Sequence, residues 1–232
     1  MRKHIIYYIF RNSIIIKNIA SKRIVCLYCI LYNVDEVMRM DPTSIGSIIE
    51  ELLQSNEIKI ADIPDIDLYM DQVTTFIDNK LGNEKRDKKD KLLTKTMINN
   101  YSKAKVLTPS KNKKYNKQQM IQLILIYYLK QVLSINDIHD LLTPVYQLEN
   151  SHKNIMDDIY SSYLKIKKKS MDHVKDILIE QESLAAEAED SLKPEEQELA
   201  QDLLAVLMLA SQAQACKRAA EAIIDKRFKK DS

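Results

Sequence analysis

The chain has 232 residues, with 35 Lys+Arg against 33 Asp+Glu for a formal net charge of +2, and 45% of it is apolar. That suffices for one large domain or two small ones with a buried core, and it excludes a disordered polyelectrolyte. The chain has 2 glycines, Gly46 and Gly82, and they stand apart. This excludes the glycine-rich phosphate loops of nucleotide-binding α/β folds and speaks against an all-β chain full of tight turns. With 5 prolines and abundant Leu, Ile, Lys, Glu and Gln, the composition predicts an all-α protein.

The first 34 residues carry six bases (Arg2, Lys3, Arg11, Lys17, Lys22, Arg23) and no acid before Asp35. Ile5–Phe10 is too short for the apolar core of a signal peptide, and 24–32 is about half of a membrane span. Residues 1–37 are therefore read as a non-native or disordered extension, with Met38 or Met40 as the working start. A basic, Ile-rich anchor at a membrane surface is the alternative. Cys26 and Cys29 form a lone C-x-x-C with no second ligand pair, and an odd total of 3 cysteines suits a reducing compartment.

Residues 38–62 read as an amphipathic helix and a linker, the helix opening at Asp41-Pro42 and running through Ile45, Ile48, Ile49, Leu52 and Leu53. A second helix is predicted from about Ile66 to Leu81, with Leu68, Val73, Phe76, Ile77 and Leu81 inward. Gly82-Asn83 stops it, and Glu84–Lys91 reads as a solvated charge run. Between Lys91 and Lys117 there are eight lysines and no acid, balanced by nine acids against Lys193 in 180–202. Charge is thus segregated along a chain that is nearly neutral overall. Met120–Leu133 is apolar on nearly every side and predicts the central core helix. Ser134 caps a short helix through Ile138 and Leu142, closed by Thr143-Pro144. Beyond it two or three longer helices are predicted, the last from about Pro194 to Phe228.

Function is concentrated in the basic segment. Thr94 is a good N-cap for a helix over Lys95–Lys105. At 100° per residue, Leu93, Met97, Ile98, Tyr101 and Ala104 fall on one side, and Lys95, Thr96, Asn99, Asn100 and Lys103 on the other. An exposed face of Lys, Thr and Asn without an acid suits a recognition helix, since asparagine pairs with adenine edges and lysine reaches phosphate or guanine. The segment Thr108–Tyr115 has the Pro, Ser, Asn and Lys of an exposed two-stranded wing, with Lys111, Lys113 and Lys114 along a phosphate backbone.

Tyr101-Ser-Lys-Ala-Lys-Val-Leu107-Thr-Pro109 resembles the Tyr-Glu-x-x-Gly-Leu-Leu-x-Pro stretch of MerR-type winged helix-turn-helix proteins. Tyr115, then Met120, Leu123, Ile126, Leu129 and Ser134-Ile-Asn-Asp-Ile138, match the family's pattern after the wing, with one residue fewer near Val132-Leu133. The likeness spans 63–142, about a third of the chain. More closely, Ile63-Pro-Asp-Ile-Asp-Leu-Tyr-Met-Asp-Gln-Val and Leu93-Thr-Lys-Thr-Met-Ile-Asn-Asn-Tyr are similar to a bacterial domain-of-unknown-function family described as MerR-like. Three departures stand out: Asn99 replaces an arginine, Lys105 replaces the glycine, and the long loop Gly82–Lys91 replaces a tight turn.

The resemblance implies a MerR-like winged helix-turn-helix at 63–145, with a small β-wing, followed by a helical dimerisation or regulatory domain at 146–232. It further implies a cytoplasmic, nucleoid-associated transcription regulator that binds double-stranded DNA as a homodimer. The expected DNA-facing residues are Lys95, Thr96, Asn99, Asn100, Tyr101, Lys103, Lys111, Lys113, Lys114, Tyr115 and Lys117. His139, His152 and His173 lie on separate predicted helices without ligand spacing, and Tyr127-Tyr128 read as core. No enzyme, metal, cofactor or membrane partner is expected. The competing expectation is a helical adaptor whose basic segment docks on an acidic protein.

Overall fold

The computed structural model describes residues 57–149, 151, 152, 154–187 and 194–229. These fall in a compact unit of 43–232, while the other unit, 1–42, lies outside the described residues. So do the expected N-terminal extension, the helix at 45–53 and the Cys26/Cys29 pair. The described part is mainly helical, as composition predicts: β1 (Leu68–Tyr69), α1 (Met70–Leu81), α2 (Lys95–Lys103), β2 (Lys114–Tyr115), α3 (Lys117–Leu129), α4 (Ile135–Leu148), α5 (Ile155–Glu187) and α6 (Pro194–Arg227).

α1 begins four residues later than its apolar spacing suggests. Leu68 and Tyr69 are drawn into an antiparallel pair with Tyr115 and Lys114. The Tyr69 backbone N–H then donates to Gln72 Oε1 at 2.8 Å, which starts the helix. Val73, Ile77 and Leu81, one helical turn apart, are fully buried. The strand register sorts the sheet into two faces. Leu68 and Tyr115 point into the core, while exposed Tyr69 meets Lys114, whose Nζ lies 4.8 Å from the ring centroid.

α3 is the centre of the core, as its apolar composition requires. Met120, Ile121, Leu123, Ile124 and Ile126 have no exposed surface. Asn116 caps it, accepting from the Gln119 N–H at 2.9 Å, and Gln119 Oε1 accepts from the Asn116 N–H at 3.0 Å. α4 is capped by Ser134, whose Oγ accepts from the Asp137 N–H at 3.2 Å.

Contrary to the expected stop at Thr143-Pro144, α4 runs through Pro144 to Leu148. An internal proline costs a helix roughly 3 kcal/mol. Here Leu142 is buried, Val145 and Tyr146 pack on the core, and the Tyr146 hydroxyl donates to the Val106 carbonyl at 2.7 Å. Those tertiary contacts hold the last turn.

The core extends past 63–145 on both sides. Ile58 at one end and Met156 and Tyr160 of α5 at the other are fully buried in the same cluster. α6 returns along α5 and reaches α4, where Ile224 is buried and Lys229 Nζ lies 3.7 Å from Asp137. Its N-terminal half presents Leu199, Leu203, Val206 and Leu207 to solvent at 74, 58, 62 and 55% exposure.

Candidate nucleic-acid interface

The α2 helix forms as its sequence dictates. Thr94 Oγ1 accepts from the Met97 N–H at 3.2 Å, and Ile98 and Tyr101 face inward. Lys95, Thr96, Asn99, Asn100 and Lys103 are all exposed. An amide can donate to and accept from one base edge, and a lysine beside it can reach a phosphate.

The helix ends in a Schellman cap. The Val106 N–H donates to the Tyr101 carbonyl at 3.0 Å and the Lys105 N–H to the Ser102 carbonyl at 3.1 Å. Lys105 takes the left-handed conformation this cap requires, with φ 59°. The turn is therefore made without the glycine of the resembled pattern, and it bears the steric strain of a Cβ there.

Val106 and Leu107 then plunge into the core, and two glutamines of α3 secure Thr108 and Pro109 beyond them. Gln119 Nε2 donates to the carbonyls of Thr108 and Pro109 at 3.0 and 2.9 Å. Gln122 Oε1 accepts from the Thr108 N–H at 3.1 Å and the Thr108 hydroxyl at 2.9 Å. Both side chains are buried, at 5 and 1% exposure. Sequence reasoning passed over them, although two amides three residues apart in an otherwise apolar helix are a signal that something polar is held nearby.

At the wing tip the Lys114 N–H donates to the Lys111 carbonyl at 3.0 Å, and Asn112 and Lys113 have φ 53° and 60°. Two left-handed residues in a two-residue loop make a type I′ hairpin turn. The expected two-stranded wing is seen as a single bridge between Lys111 and Lys114 across this turn, and Lys114–Tyr115 pairs besides with β1.

A shallow groove separates α2 from the wing, bordered by Tyr69, Asp71, Lys95, Asn99, Ser102, Ser110 and Lys113. Of the expected DNA-facing residues, it brings Lys95, Asn99, Lys113 and Tyr115 together. Lys103 and Lys111 are exposed and, among the described residues, form no ion pair. Lys114 lies on the Tyr69 ring. Lys95 Nζ contacts Asp71 Oδ1, and Lys117 Nζ contacts Asp65 at 2.8 Å, which holds the Lys117 ammonium above its ordinary pKa.

Tyr101 and Tyr115 are corrected. Their rings are 4 and 3% exposed and pack in the core, because the cap and the strand register turn them inward. Burial pushes the Tyr101 phenol up to about 12. Both rings lie beneath the surface and support it, Tyr115 at the inner lining of the groove.

Glu84 departs from the solvated run expected of it. It is half-buried beside Tyr127 and Tyr128, and burial raises its carboxyl above the usual range despite those hydroxyls and nearby Lys167. Lys85 pairs with Asp78 at 2.7 Å. Tyr127 is buried as expected, and Tyr128 and Tyr160 extend the aromatic cluster to Tyr163. His139 and His152 meet Asp140 and Asp158 at 3.1 and 2.9 Å. Among the described residues no three His, Cys, Asp or Glu side chains gather as metal ligands. One helical stretch there, Leu199–Arg227, is long and apolar enough to cross a membrane by length and composition.

Residues 58–163 match the family described as "Domain of unknown function (DUF1836)". Those limits coincide with the core that Ile58 opens and Tyr160 and Tyr163 close. Neither the curated proteins nor the solved structures contain a match to the chain.

Proposed function

We propose that the unit at 58–163 is a MerR-like winged helix-turn-helix domain that binds double-stranded DNA, and that the protein regulates transcription in the cytoplasm. One observation carries this reading: the solvent face of α2 is Lys95, Thr96, Asn99, Asn100 and Lys103, with no acid, beside a wing tip bearing Lys111 and Lys113. A merely soluble helix mixes both signs of charge on its outer face. The order strand, helix, helix, wing and core helix supports the resemblance read from Tyr101 to Pro109.

In this reading α2 enters the major groove and the wing lysines track the phosphates. The protein binds without altering its ligand. A second copy covers the exposed leucines of α6, giving a two-fold reader for a two-fold site. Sedimentation of wild type and of Leu203→Glu/Leu207→Glu tests this point, with a dimer expected only for the former.

The deciding experiment is fluorescence anisotropy with DNA from the protein's own upstream region and with shuffled DNA, at about 50 and 200 mM salt. A preference that survives the higher salt establishes the regulator. Binding that is absent, or equal on both and lost with salt, points instead to an acidic protein partner.

A further inference from the structure

We infer that Asp71 is a specificity-determining residue that works by repulsion: it holds Lys95 and keeps phosphates of unmatched DNA away from the groove. This inference rests on the DNA-binding reading of the α2 face.

The eight lysines between 91 and 117 meet no acid in their own stretch of sequence, but the fold brings acids to two of them. The segment 65–71 holds Asp65, Asp67 and Asp71 and no base, and all three acids are exposed. Asp71, in the first turn of α1, contacts the Nζ of Lys95, the first residue of α2. Asp65 contacts the Nζ of Lys117, the first residue of α3.

A lysine opening a helix sits at the positive end of the dipole, where a nearby anion is favoured. In each case the fold supplies a carboxylate. Lys114 of the wing is likewise engaged, over the ring of Tyr69 from the same segment. Among the described residues, Lys103, Lys111 and Lys113 are the expected DNA-facing lysines with no ion pair or ring contact.

Asp71 also borders the groove it shares with Lys95, Asn99 and Lys113. A phosphate there must displace a carboxylate and then lie beside it. Surface ion pairs contribute little to stability, so the Asp71–Lys95 contact is readily exchanged. Its effect on an approaching polyanion is larger, because the repulsion acts on every DNA register that puts a phosphate at this point. A correct site, held by base contacts from Asn99 and Asn100, can be docked in the one register that avoids it. Discrimination by penalising the wrong partner is the economical form of specificity when attraction to phosphate is uniform.

Asp71→Asn, which keeps size and polarity, separates the alternatives. Shuffled DNA is titrated with wild type, Asp71→Asn, Lys95→Gln and the double variant, in parallel with upstream DNA, at several salt concentrations. Asp71→Asn is expected to tighten shuffled DNA about 3- to 10-fold at about 50 mM salt while changing upstream DNA less, so selectivity falls. Its log K against log salt slope steepens by about one unit as Lys95 takes a phosphate. Lys95→Gln alone weakens shuffled DNA, because Asp71 is then left unneutralised, and the double variant loses the slope change but keeps the part of the gain that comes from removing the repulsion.

If wild type binds and Asp71→Asn leaves both affinity and slope on shuffled DNA unchanged, the inference is overturned and the DNA-binding reading stands. An equal gain on both DNAs likewise overturns it, as Asp71 then lowers affinity without selecting. If neither protein binds any DNA, the DNA-binding reading falls and this inference with it.

Discussion

The Tyr160 hydroxyl donates to the Ile58 carbonyl at 2.6 Å, joining residues 102 apart in sequence. Both are fully buried, so the extended segment at Ile58 and the second turn of α5 are fastened where no water can replace the bond. Tyr160→Phe leaves a buried carbonyl unpaired and is expected to cost about 1–3 kcal/mol in urea unfolding. A fragment that stops at 145 loses Met156 and Tyr160 and should fail to show a cooperative transition, while one spanning 57–187 should retain it. A stable, cooperative 57–145 fragment would show that α5 is no part of this core.

The backbone around α2 and α1 gives two opposite substitutions. Lys105, with φ 59°, strains a side chain that glycine would not have, so Lys105→Gly should stabilise by about 0.5–1 kcal/mol. Gly82 has ordinary helical angles and open space around the position a Cβ would take. Gly82→Ala should therefore also stabilise, by about 0.4–1 kcal/mol, through the unfolded chain. Thermal unfolding of the two variants and of their combination reads both effects, which should add.

Gln122 anchors Thr108 by its N–H and its hydroxyl. Gln122→Met keeps the volume and removes the acceptor, so it should destabilise by about 1–3 kcal/mol and loosen the entry to the wing. Amide hydrogen exchange at Thr108 should rise more than at Ile98 of α2. Equal acceleration at both would mean global destabilisation alone.

Glu84 makes stability depend on pH in a definite direction. Its folded pKa lies above the unfolded value, so the native state binds the proton more tightly. Stability is fullest below the unfolded carboxyl pKa and declines as pH rises through the raised folded value. In Glu84→Gln that decline should disappear, leaving a flatter profile above the unfolded carboxyl pKa. A profile identical to wild type would place the dependence elsewhere.

The two kinds of surface contact should separate in binding data. Losing Lys111 and Lys113 together should flatten the slope of log K against log salt by about 2 units. Asn99→Ala should relax base preference by roughly 1–3 kcal/mol with little change in slope. Equal weakening by Asn99→Ala on every sequence would remove its reading role.

Much of this arrangement was legible in the sequence because it is local. The face of α2 comes from a turn of 100° per residue, the Thr94 and Ser134 caps from side-chain chemistry, and the centrality of α3 from its lack of a polar side. The rest depends on partners far along the chain. Leu68–Tyr69 becomes a strand because Lys114–Tyr115 arrives beside it, which no pattern at 66–81 announces. Pro144 is carried inside α4 because Tyr146 finds Val106. Tyr101 and Tyr115 turn inward through a helix cap and a strand register. The acids facing Lys95 and Lys117 come from α1 and the segment before it, so a count of lysines between 91 and 117 overstates the free charge.

α5 begins as a core helix and continues for 20 residues beyond Lys167, whose ammonium lies 4.9 Å from the Tyr128 ring centroid. At about 1.5 Å per residue that is a rod of about 30 Å, seated at one end on the core and packed along α6. Tyr160, Tyr163 and Lys167 form its fulcrum, against the Tyr128 of α3 and, through that helix, the glutamines that seat the wing. A tilt of about 5° at the fulcrum swings the far end by some 2–3 Å. In the reverse sense, a displacement of that size at the Glu187 end of α5 has mechanical advantage over the packing of α3.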